Sequence, residues 1–322
     1  MLTQIRKHLR DTERIRGLAE RLMFMERPEC PVCGESTARD IWSGRLDEQS
    51  VLQHLEQYYY SGLWRDQIAK QEFCLVECCK CGMHWHRKVI SDASVATVYG
   101  KWADAEQARC YEQANVPSKH NQKALRIKMA KLALRLEHLA KQNGRPLHLL
   151  DFGCGDGTFL SVAKALGADP TGIDVSASRT QAARSDGMTI LPDLEALDAE
   201  GRGPLDAVVL SQVLEHVADP LALLRALHGR LREGGILFVA VPNAHGVSVP
   251  QNFHQFTLVQ PIEHMNAFSP FTLRLIGKKA GFSPVRRPSA FVTTKSGELL
   301  RAAVNWVWQP RNTDVFFRKV NA

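Results

Sequence analysis

Three glycines and an acid form the first group of residues with a clear chemical use. Gly153, Gly155 and Gly157 stand at alternate positions directly after the apolar run 147–152. Glycine permits a tight turn from a strand into a helix and lets a ligand lie against the backbone. Asp174 ends a second apolar run about twenty residues later, the spacing at which a carboxylate reaches the ribose hydroxyls of a nucleoside. This pattern predicts a nucleoside site.

Two Cys-x-x-Cys-Gly sequences form the second group and predict a structural zinc site. The first contains Cys30 and Cys33, and the second contains Cys78 and Cys81. The glycine after each pair frees the backbone to fold round a metal ion, and four thiolates make a closed tetrahedral site. The interval between the pairs is longer than in compact zinc ribbons, and a helical insert accounts for it. Cys79 is an alternative ligand, although only Cys78 keeps the spacing.

The elements that must position these groups follow an alternating pattern. From residue 119 onward, apolar runs alternate with helical spacing, which predicts an α/β fold with a doubly wound, mostly parallel sheet covered on both faces. The predicted strands are 147–152, 171–174, 188–191, 206–211, 235–241, 285–294 and 315–320. Ligands of such sheets lie outside the carboxyl ends of the strands, where the strand order reverses. The glycines and Asp174 both follow strands at such ends.

The chain divides into four predicted segments. They are an amphipathic helix at 1–27, a zinc-ribbon domain with a helical insert at 28–90, a bridging segment at 91–118 and a catalytic domain at 119–322. Inside the ribbon, the insert reads as a helix over 47–60, and 73–77 reads as the strand that leads to the second cysteine pair. A further helix over 297–308 separates the last two strands and is predicted to cover the substrate cleft or to form a dimer surface.

Charge and hydropathy narrow the classes of partner. The net charge is +7 and the pI is about 9.0, which permits an anionic partner without requiring one. Eight Lys and Arg residues lie between 119 and 145, on a helix whose basic side is either solvated or an anion site. No apolar run approaches the roughly twenty residues of a membrane span. The N-terminus lacks the apolar core of a secretion signal, so we predict a cytoplasmic protein.

The glycine pattern and Asp174 together resemble motif I and the acidic loop of class I S-adenosylmethionine (SAM) methyltransferases. The resemblance implies a Rossmann-like, seven-stranded sheet with SAM as cofactor. The residues that it implies in SAM binding are Asp151, Gly153, Cys154, Gly155, Asp174, Val175, Asp193, Leu194, Ser211 and Gln212. The first four of these would lie beneath the methionine part, and Asp174 would bind the ribose. Asp193 would lie beside the adenine amino group, or it is only a helix cap.

Two further segments are similar to the acceptor site of this family. The run 205–220 resembles the fourth strand and following turn of its small-molecule branch, which places Glu215 and His216 at the mouth of the cleft. His264 begins a His-x-x-x-Phe-Ser-Pro segment similar to the loop that closes over the acceptor in polysaccharide and secondary-metabolite methyltransferases.

Methyl transfer requires alignment of the acceptor with the methyl group and removal of a proton, for which a histidine suits. We predict His216 as general base, with Glu215 orienting it or holding a sugar hydroxyl. His264 is the second candidate. Alternatively, Glu215 and His216 only cap a helix and pack the loop. One carboxylate in this turn does not predict a catalytic metal.

The combination of ribbon and SAM domain is similar to sugar C-methyltransferases that act on nucleotide-linked deoxysugars. The chain lacks room for their long C-terminal domain, so O-methylation of a saccharide or lipid-linked glycan is an equal prediction. The predicted partner is a small molecule or glycan, with a nucleotide sugar favoured, and the sequence is compatible with a homo-oligomer.

The competing prediction is a zinc-ribbon RNA methyltransferase. Against it, aromatics are not interleaved with the basic residues, and no [DNS]-P-P-[YFW] sequence follows the fourth strand. A protein acceptor and a non-catalytic scaffold are weaker alternatives.

Overall fold

The computed structural model describes most of the chain. The described residues are 22–57, 60, 64–102, 118–141, 144–288, 303–304 and 312–320. Parts of three predicted segments therefore lie outside them: most of the helix at 1–27, the centre of the bridging segment, and nearly all of the helix at 297–308. Within the described ranges, no helix is both long enough and apolar enough to cross a membrane.

The described residues from 22 to 102, called the cysteine lobe here, form short antiparallel strands and helices. The elements are β1 (Phe24–Glu26), β2 (Ala38–Arg45), α1 (Gln49–Leu55), α2 (Trp64–Ile68), β3 (Glu72–Cys78), β4 (His84–His86), β5 (Lys88–Ile90), α3 (Asp92–Thr97) and a π-helical turn (Val98–Trp102). Strands β2, β3 and β4 pair antiparallel, and β1 pairs with β5. Helix α1 lies within the predicted insert, and β3 feeds the second cysteine pair.

The remaining elements alternate between helix and strand. They are α4 (Ser118–Ala140), β6 (His148–Phe152), α5 (Thr158–Ala165), β7 (Asp169–Ile173), α6 (Ala177–Ser185), β8 (Thr189–Leu191), α7 (Leu194–Ala199), β9 (Leu205–Ser211), a 3-10 turn (Leu214–His216), α8 (Pro220–Arg230), β10 (Leu231–Ala240), α9 (Phe253–Leu258), β11 (Asn266–Ala267), α10 (Pro270–Lys279), β12 (Phe282–Val285) and β13 (Asp314–Lys319). Side-chain caps begin several of these helices. Asp219 accepts from Ala222 N, with Pro220 at the first helical position of α8.

Seven strands form one sheet in the order β12-β13-β10-β9-β6-β7-β8. The five strands from β10 to β8 are parallel, and β13 runs antiparallel to both of its neighbours. This confirms the predicted α/β fold with a mostly parallel, seven-stranded sheet. The chain runs outward from β6 to β8 and then returns to the other side of β6 at β9. The strand order therefore reverses between β6 and β9, where such sheets bind ligands.

The predicted strand over 285–294 is wrong in its position. The structure places β12 at Phe282–Val285, residues 286–288 are not strand, and 289–294 lie outside the described residues. Pro284 is the physical reason, because proline argues against a strand interior but is tolerated at a sheet edge, and β12 is the edge strand. Strand β10 begins earlier than predicted, at Leu231, with an irregular register across the two glycines before Ile236.

The cysteine lobe and the sheet domain share both a core and a sheet. Met83 and Trp85 of the lobe lie in the same buried cluster as Leu214 and Phe268. Strand β11, which follows β10 in the chain, pairs antiparallel with β4 of the lobe. These contacts place the loop before β11 beside the turn that follows β9.

Candidate active site

The glycine turn (residues 153–157) joins β6 to α5 at the point where the strand order reverses. Gly153, Gly155 and Gly157 have φ angles of 78°, 55° and 74°, the left-handed region that favours glycine. A Cβ atom at Gly153 would lie 2.5 Å from the Val213 side chain, and one at Gly157 would lie 2.4 Å from Ala183. The turn that follows β9 therefore packs directly on the glycine turn.

Carboxylates concentrate negative charge beside the glycine turn. Asp174 accepts hydrogen bonds of 2.8 Å from the backbone N–H groups of Gly155 and Ser176. Asp151 is buried, and burial raises its pKa to about 7, with further contributions from the charges of Asp174 and Asp156. A ligand with a positive charge would be stabilised here. This set of groups fits the ammonium and sulfonium of SAM.

The other residues predicted to bind SAM lie at the same edge of the sheet. Val175 follows β7 and is 63 % exposed. Gln212 follows β9 with φ of 56° and donates through its backbone N–H to the carbonyl of Ala240. Asp193 follows β8 and caps α7 by accepting from Ala196 N at 2.8 Å, which is the alternative that the sequence left open.

Three of these predicted residues differ in how far their side chains are exposed. Ser211 is exposed at the end of β9. The Cys154 side chain is buried in a small cluster with Leu160, and the Leu194 side chain is buried in the sheet core. Cys154 and Leu194 can therefore meet a ligand mainly through their backbone.

Glu215, His216 and His264, called the Glu-His-His cluster here, come together from two separate segments. One nitrogen or oxygen atom of each lies within 4.8 Å of those of the other two. The distance from His216 Nε2 to Glu215 Oε1 is 3.9 Å, and the His216 and His264 rings meet edge to face at 4.7 Å. The Tyr99 hydroxyl lies 3.0 Å from His216 Nδ1. The fold thus unites the three predicted catalytic residues.

Burial keeps the Glu-His-His cluster uncharged when no ligand is bound. Glu215 is 1 % exposed, and burial raises its pKa to about 8. Burial lowers the pKa of His264 to about 4. Burial also lowers the pKa of His216, as do the nearby charges of His264 and Arg179. The Arg179 guanidinium, whose charge acts on His216, would lie 3.6 Å from a Cβ at Gly155 in the glycine turn.

Several buried polar atoms of the cluster have no hydrogen-bond partner among the described residues. Both carboxylate oxygens of Glu215 and Nδ1 of His264 are buried, and no described residue forms a hydrogen bond to them. Buried polar atoms in native proteins are normally hydrogen-bonded. These atoms are therefore free to bind a hydroxyl group, a proton or an ion.

Arg27 of the cysteine lobe connects the segments that carry the cluster. Its guanidinium is buried and donates to Oδ1 of Asn266 at 3.0 Å and to the carbonyls of Ala218 (2.8 Å), Met265 (2.6 Å) and His86 (3.0 Å). Burial lowers its pKa to about 10, so it stays charged. One side chain thus bonds the lobe, the loop after His264 and the segment after His216.

Two buried amides hold the His264 loop from either side. Asn266 donates to the carbonyl of Val217 at 2.7 Å. Gln260 donates to the Tyr60 hydroxyl at 2.6 Å. Sequence reasoning missed Arg27, Gln260 and Tyr99 because nothing in their surroundings marks them. Asn266, inside the His-x-x-x-Phe-Ser-Pro segment, could have been found by its place in that motif.

The four cysteines predicted as ligands, Cys30, Cys33, Cys78 and Cys81, form a second group, called the thiolate cluster here. Their sulfur atoms all lie within 4.8 Å of one another. The Sγ–Sγ distances are 3.6 Å for Cys30 and Cys81 and 3.4 Å for Cys33 and Cys78. Sulfurs about 2.3 Å from one tetrahedral zinc ion stand roughly 3.8 Å apart, so the residues fit that ion.

The backbone round the thiolate cluster has the two turns that the sequence predicted. Gly34 and Gly82 have φ angles of 75° and 70°, and their N–H groups donate to the carbonyls of Cys30 and Cys78. Cys79 is exposed and is not one of the clustered sulfurs. The geometry therefore favours Cys78 over Cys79 as the ligand.

Comparison with known proteins adds to this geometry. A family model described as "Methyltransferase domain" matches residues 122–286, just over half of the 322 residues. A ubiquinone biosynthesis O-methyltransferase from Xanthomonas campestris pv. campestris is 36 % identical over 118 residues, 34 % of this chain and 49 % of the relative. One from Caulobacter vibrioides is 40 % identical over 104 residues, 30 % of this chain and 41 % of the relative. The chain spans about half the length, or less, of these curated relatives.

A SAM-dependent methyltransferase from Archaeoglobus fulgidus superimposes with a TM-score of 0.45 and 19 % identity. The match covers 67 % of this chain and 100 % of that chain.

Proposed function

The chain belongs to the methyltransferase-domain family, and on that premise we propose that it transfers the methyl group of SAM to a hydroxyl oxygen of a small-molecule acceptor. The observation that carries this proposal is the position of the Glu-His-His cluster. Val213 contacts the glycine turn, and the 3-10 turn with Glu215 and His216 follows it immediately. A cofactor in the turn and an acceptor at the cluster would therefore be neighbours.

SAM, when bound, supplies a methyl group that its positively charged sulfur has already activated. Asp151 would balance the positive charge of the methionine part, with Gly153, Cys154 and Gly155 giving it room against the backbone. Asp174 would accept hydrogen bonds from the ribose. The residues proposed to surround the adenine and cover the cofactor are Val175, Asp193, Leu194, Ser211 and Gln212.

The acceptor hydroxyl would lie at the Glu-His-His cluster. Its oxygen lone pair forms a bond to the methyl carbon while the carbon–sulfur bond breaks, and its proton passes to a base. His216 is the base we propose, with His264 as the alternative, because both imidazoles are neutral at neutral pH, the form that a base requires; the burial that lowers their pKa also makes them weaker bases. Glu215 would hold the hydroxyl or orient His216.

The names of the curated relatives support oxygen as the accepting atom, since they describe O-methyltransferases. Within small molecules, we favour a nucleotide-linked sugar or a sugar of a polysaccharide pathway, on the resemblance of the segments at 205–220 and 264–270. RNA is the second candidate acceptor. A specific observation favours it: the side chains of Lys123, Arg126 and Lys128 on α4 are exposed.

We propose a structural zinc ion at the thiolate cluster. The spacing of the four sulfurs and the two glycine turns support it. Four protein ligands close the coordination sphere, so the ion would stabilise the cysteine lobe rather than take part in methyl transfer.

Transfer of isotope-labelled methyl from SAM tests the proposed function. The full chain is incubated with labelled SAM and cell extract, which is then separated into a nucleotide-sugar and glycan fraction, an RNA fraction and a protein fraction. Label in the first fraction is the expected result, and mass spectrometry would identify the product. Label in RNA would instead make the basic side of α4 the substrate surface. No label above that of the Asp174→Ala variant in any fraction would contradict the proposal.

A further inference from the structure

The Glu-His-His cluster has the composition and spacing of a metal site as well as those of an acid–base site. Ligands that bind one transition-metal ion at about 2.0–2.2 Å stand roughly 3–4 Å apart. The distance from His216 Nε2 to Glu215 Oε1 is 3.9 Å, and all three groups offer an atom within 4.8 Å of the others. Small side-chain rotations would bring the three atoms to coordination distance.

The inner atoms of the cluster lack the partners that burial normally requires. Both oxygens of Glu215 and Nδ1 of His264 are buried without a hydrogen bond from any residue that the structure describes. An isolated buried carboxylate is costly, and such groups in native proteins are paired or coordinate a metal. The free atoms belong to two of the three side chains that come together here, so one ion bound among them would satisfy both groups.

The outer nitrogens of both histidines are held, as the histidines of metal sites are. His216 Nδ1 lies 3.0 Å from the Tyr99 hydroxyl. The His264 ring donates to the backbone carbonyls of Leu258 and Thr257, and since its Nδ1 has no partner, the donor is Nε2. In metal sites such contacts fix the tautomer and present the remaining lone pair to the ion.

We propose that Glu215, His216 and His264 bind one divalent transition-metal ion, through a carboxylate oxygen, Nε2 of His216 and Nδ1 of His264. Two imidazoles and a carboxylate suit Zn²⁺, Fe²⁺ or Mn²⁺. Three protein ligands leave at least one position open, which is the arrangement of catalytic rather than structural sites. The inference rests on the proposed function only in assigning that open position to the acceptor hydroxyl.

A bound ion would change how the acceptor loses its proton. The ion stabilises the alkoxide, so the O–H bond of the coordinated hydroxyl breaks and its proton passes to water. The oxygen lone pair then bonds to the methyl carbon as the carbon–sulfur bond of SAM breaks, which leaves S-adenosylhomocysteine. His216 and His264 act as ligands in this case. Without the ion, His216 takes the proton as proposed above.

Titration of the full chain with Co²⁺ tests the site without any acceptor. We expect two ions per chain: one with the intense charge-transfer absorption of thiolate ligands, and one with the weak d–d bands of nitrogen and oxygen ligands. Glu215→Gln and His264→Gln should abolish the second ion and keep the first. His254→Gln, which changes an exposed histidine of α9, is the matched control and should keep both. Tyr99→Phe should weaken the second site about tenfold or more.

Several results would overturn the inference. A wild-type chain that binds only the thiolate-held ion would do so, as would a Glu215→Gln variant that binds the second ion with unchanged affinity. If that variant does not fold, electron paramagnetic resonance of Mn²⁺ added to the wild-type chain decides. Nitrogen coupling from two imidazoles supports the site, and its absence refutes it.

Failure of this inference is separate from failure of the proposed function. A wild-type chain that binds only the thiolate-held ion and still transfers labelled methyl would refute the metal site and uphold methyl transfer. A chain that binds two ions but neither binds SAM nor transfers its methyl group would support the site and refute the proposed function.

Discussion

The thiolate cluster and the Glu-His-His cluster both gather side chains of the types that can bind a metal ion, but they are built differently. The thiolate cluster takes four identical ligands from two short turns of the cysteine lobe, and its sulfurs are spaced to fill a tetrahedral sphere. The Glu-His-His cluster takes three mixed ligands from the turn after β9 and from the loop before β11. Its unpartnered atoms leave it open. A closed set of ligands stabilises the fold, whereas an open set leaves positions at which a reaction can take place.

The two clusters are also linked. Strand β11 pairs with β4 of the cysteine lobe, and Arg27 bonds the lobe to both segments of the Glu-His-His cluster. A change in the lobe can therefore reach the open cluster, whereas none of these bonds is made by a residue of the glycine turn. Variants that separate the three regions test this division.

The largest effect should come from removing one thiolate. Cys78→Ser should release zinc and unfold the cysteine lobe, because zinc binding to four-ligand sites of small domains contributes on the order of 10 kcal/mol. Zinc content and hydrogen exchange over residues 22–102 measure this. Cys79→Ser, one position away and exposed, is the control and should change neither. If Cys79→Ser loses zinc and Cys78→Ser keeps it, the ligand assignment is wrong.

Loss of Arg27 should have the next largest effect and would sharpen the link between the clusters. Arg27→Met removes the buried hydrogen bonds to Asn266 Oδ1 and to the carbonyls of His86 and Met265, so we expect a loss of about 3 kcal/mol or more in the free energy of unfolding. Urea denaturation measures it. Arg27→Lys keeps the charge but lacks the planar, forked guanidinium, so its free energy of unfolding should lie between those of the wild type and Arg27→Met. Arg65→Met, at an exposed ion pair, should be close to neutral. Equal stability of Arg27→Met and Arg65→Met would break the proposed link.

Asp174 should affect the cofactor turn and leave both clusters intact. Asp174→Ala should weaken SAM binding about 10- to 100-fold, since hydrogen bonds to a charged group contribute about 1.5–3 kcal/mol. Calorimetric titration with SAM measures this, and zinc content should not change. Asp186→Ala, an exposed acid at the end of α6, is the control. Unchanged affinity in Asp174→Ala would remove Asp174 from the ribose site.

The smallest predicted effect is a pH dependence of SAM binding. Burial raises the pKa of Asp151 to about 7, above the unfolded value of about 3.9. In the SAM-free protein, the contribution of this group to the free energy of unfolding therefore falls as pH rises from the unfolded to the folded pKa. A cationic ligand favours the ionised form, so SAM affinity should rise as pH rises through 7, by about tenfold between pH 6 and 8. Asp151→Asn should bind more weakly and lose the pH dependence. A wild-type affinity that is flat with pH would contradict the role of Asp151.

Local patterns made much of this molecule predictable. The glycine turn and the cysteine pairs are short sequences whose function depends on residues close together in the chain. In the structure, the glycine turn and the turns after both cysteine pairs have the expected positive φ angles at glycine. The alternation of strands and helices also predicted a parallel sheet, because buried parallel strands read as apolar runs, and the family resemblance implied its seven strands. The error at β12 arose because Pro284 lies in an edge strand, and edge position is not visible in a single sequence.

What the sequence could not predict depends on contacts between distant segments. It showed one carboxylate in the turn after β9, which argued against a metal at that turn. The second imidazole of the cluster arrives with His264, and its place is set by the pairing of β11 with β4. Arg27 illustrates the same limit, since its partners lie on three separate segments.

The most direct test of the account is methyl transfer by variants of the Glu-His-His cluster under saturating SAM. Glu215→Gln and His216→Ala should bind SAM with the wild-type affinity, because neither contributes to the cofactor turn. Both should lose about 10²- to 10⁴-fold in the rate of label transfer to the small-molecule fraction, the range for loss of a group that assists proton transfer. Wild-type rates in both variants would contradict the account and would place the acceptor elsewhere on the chain.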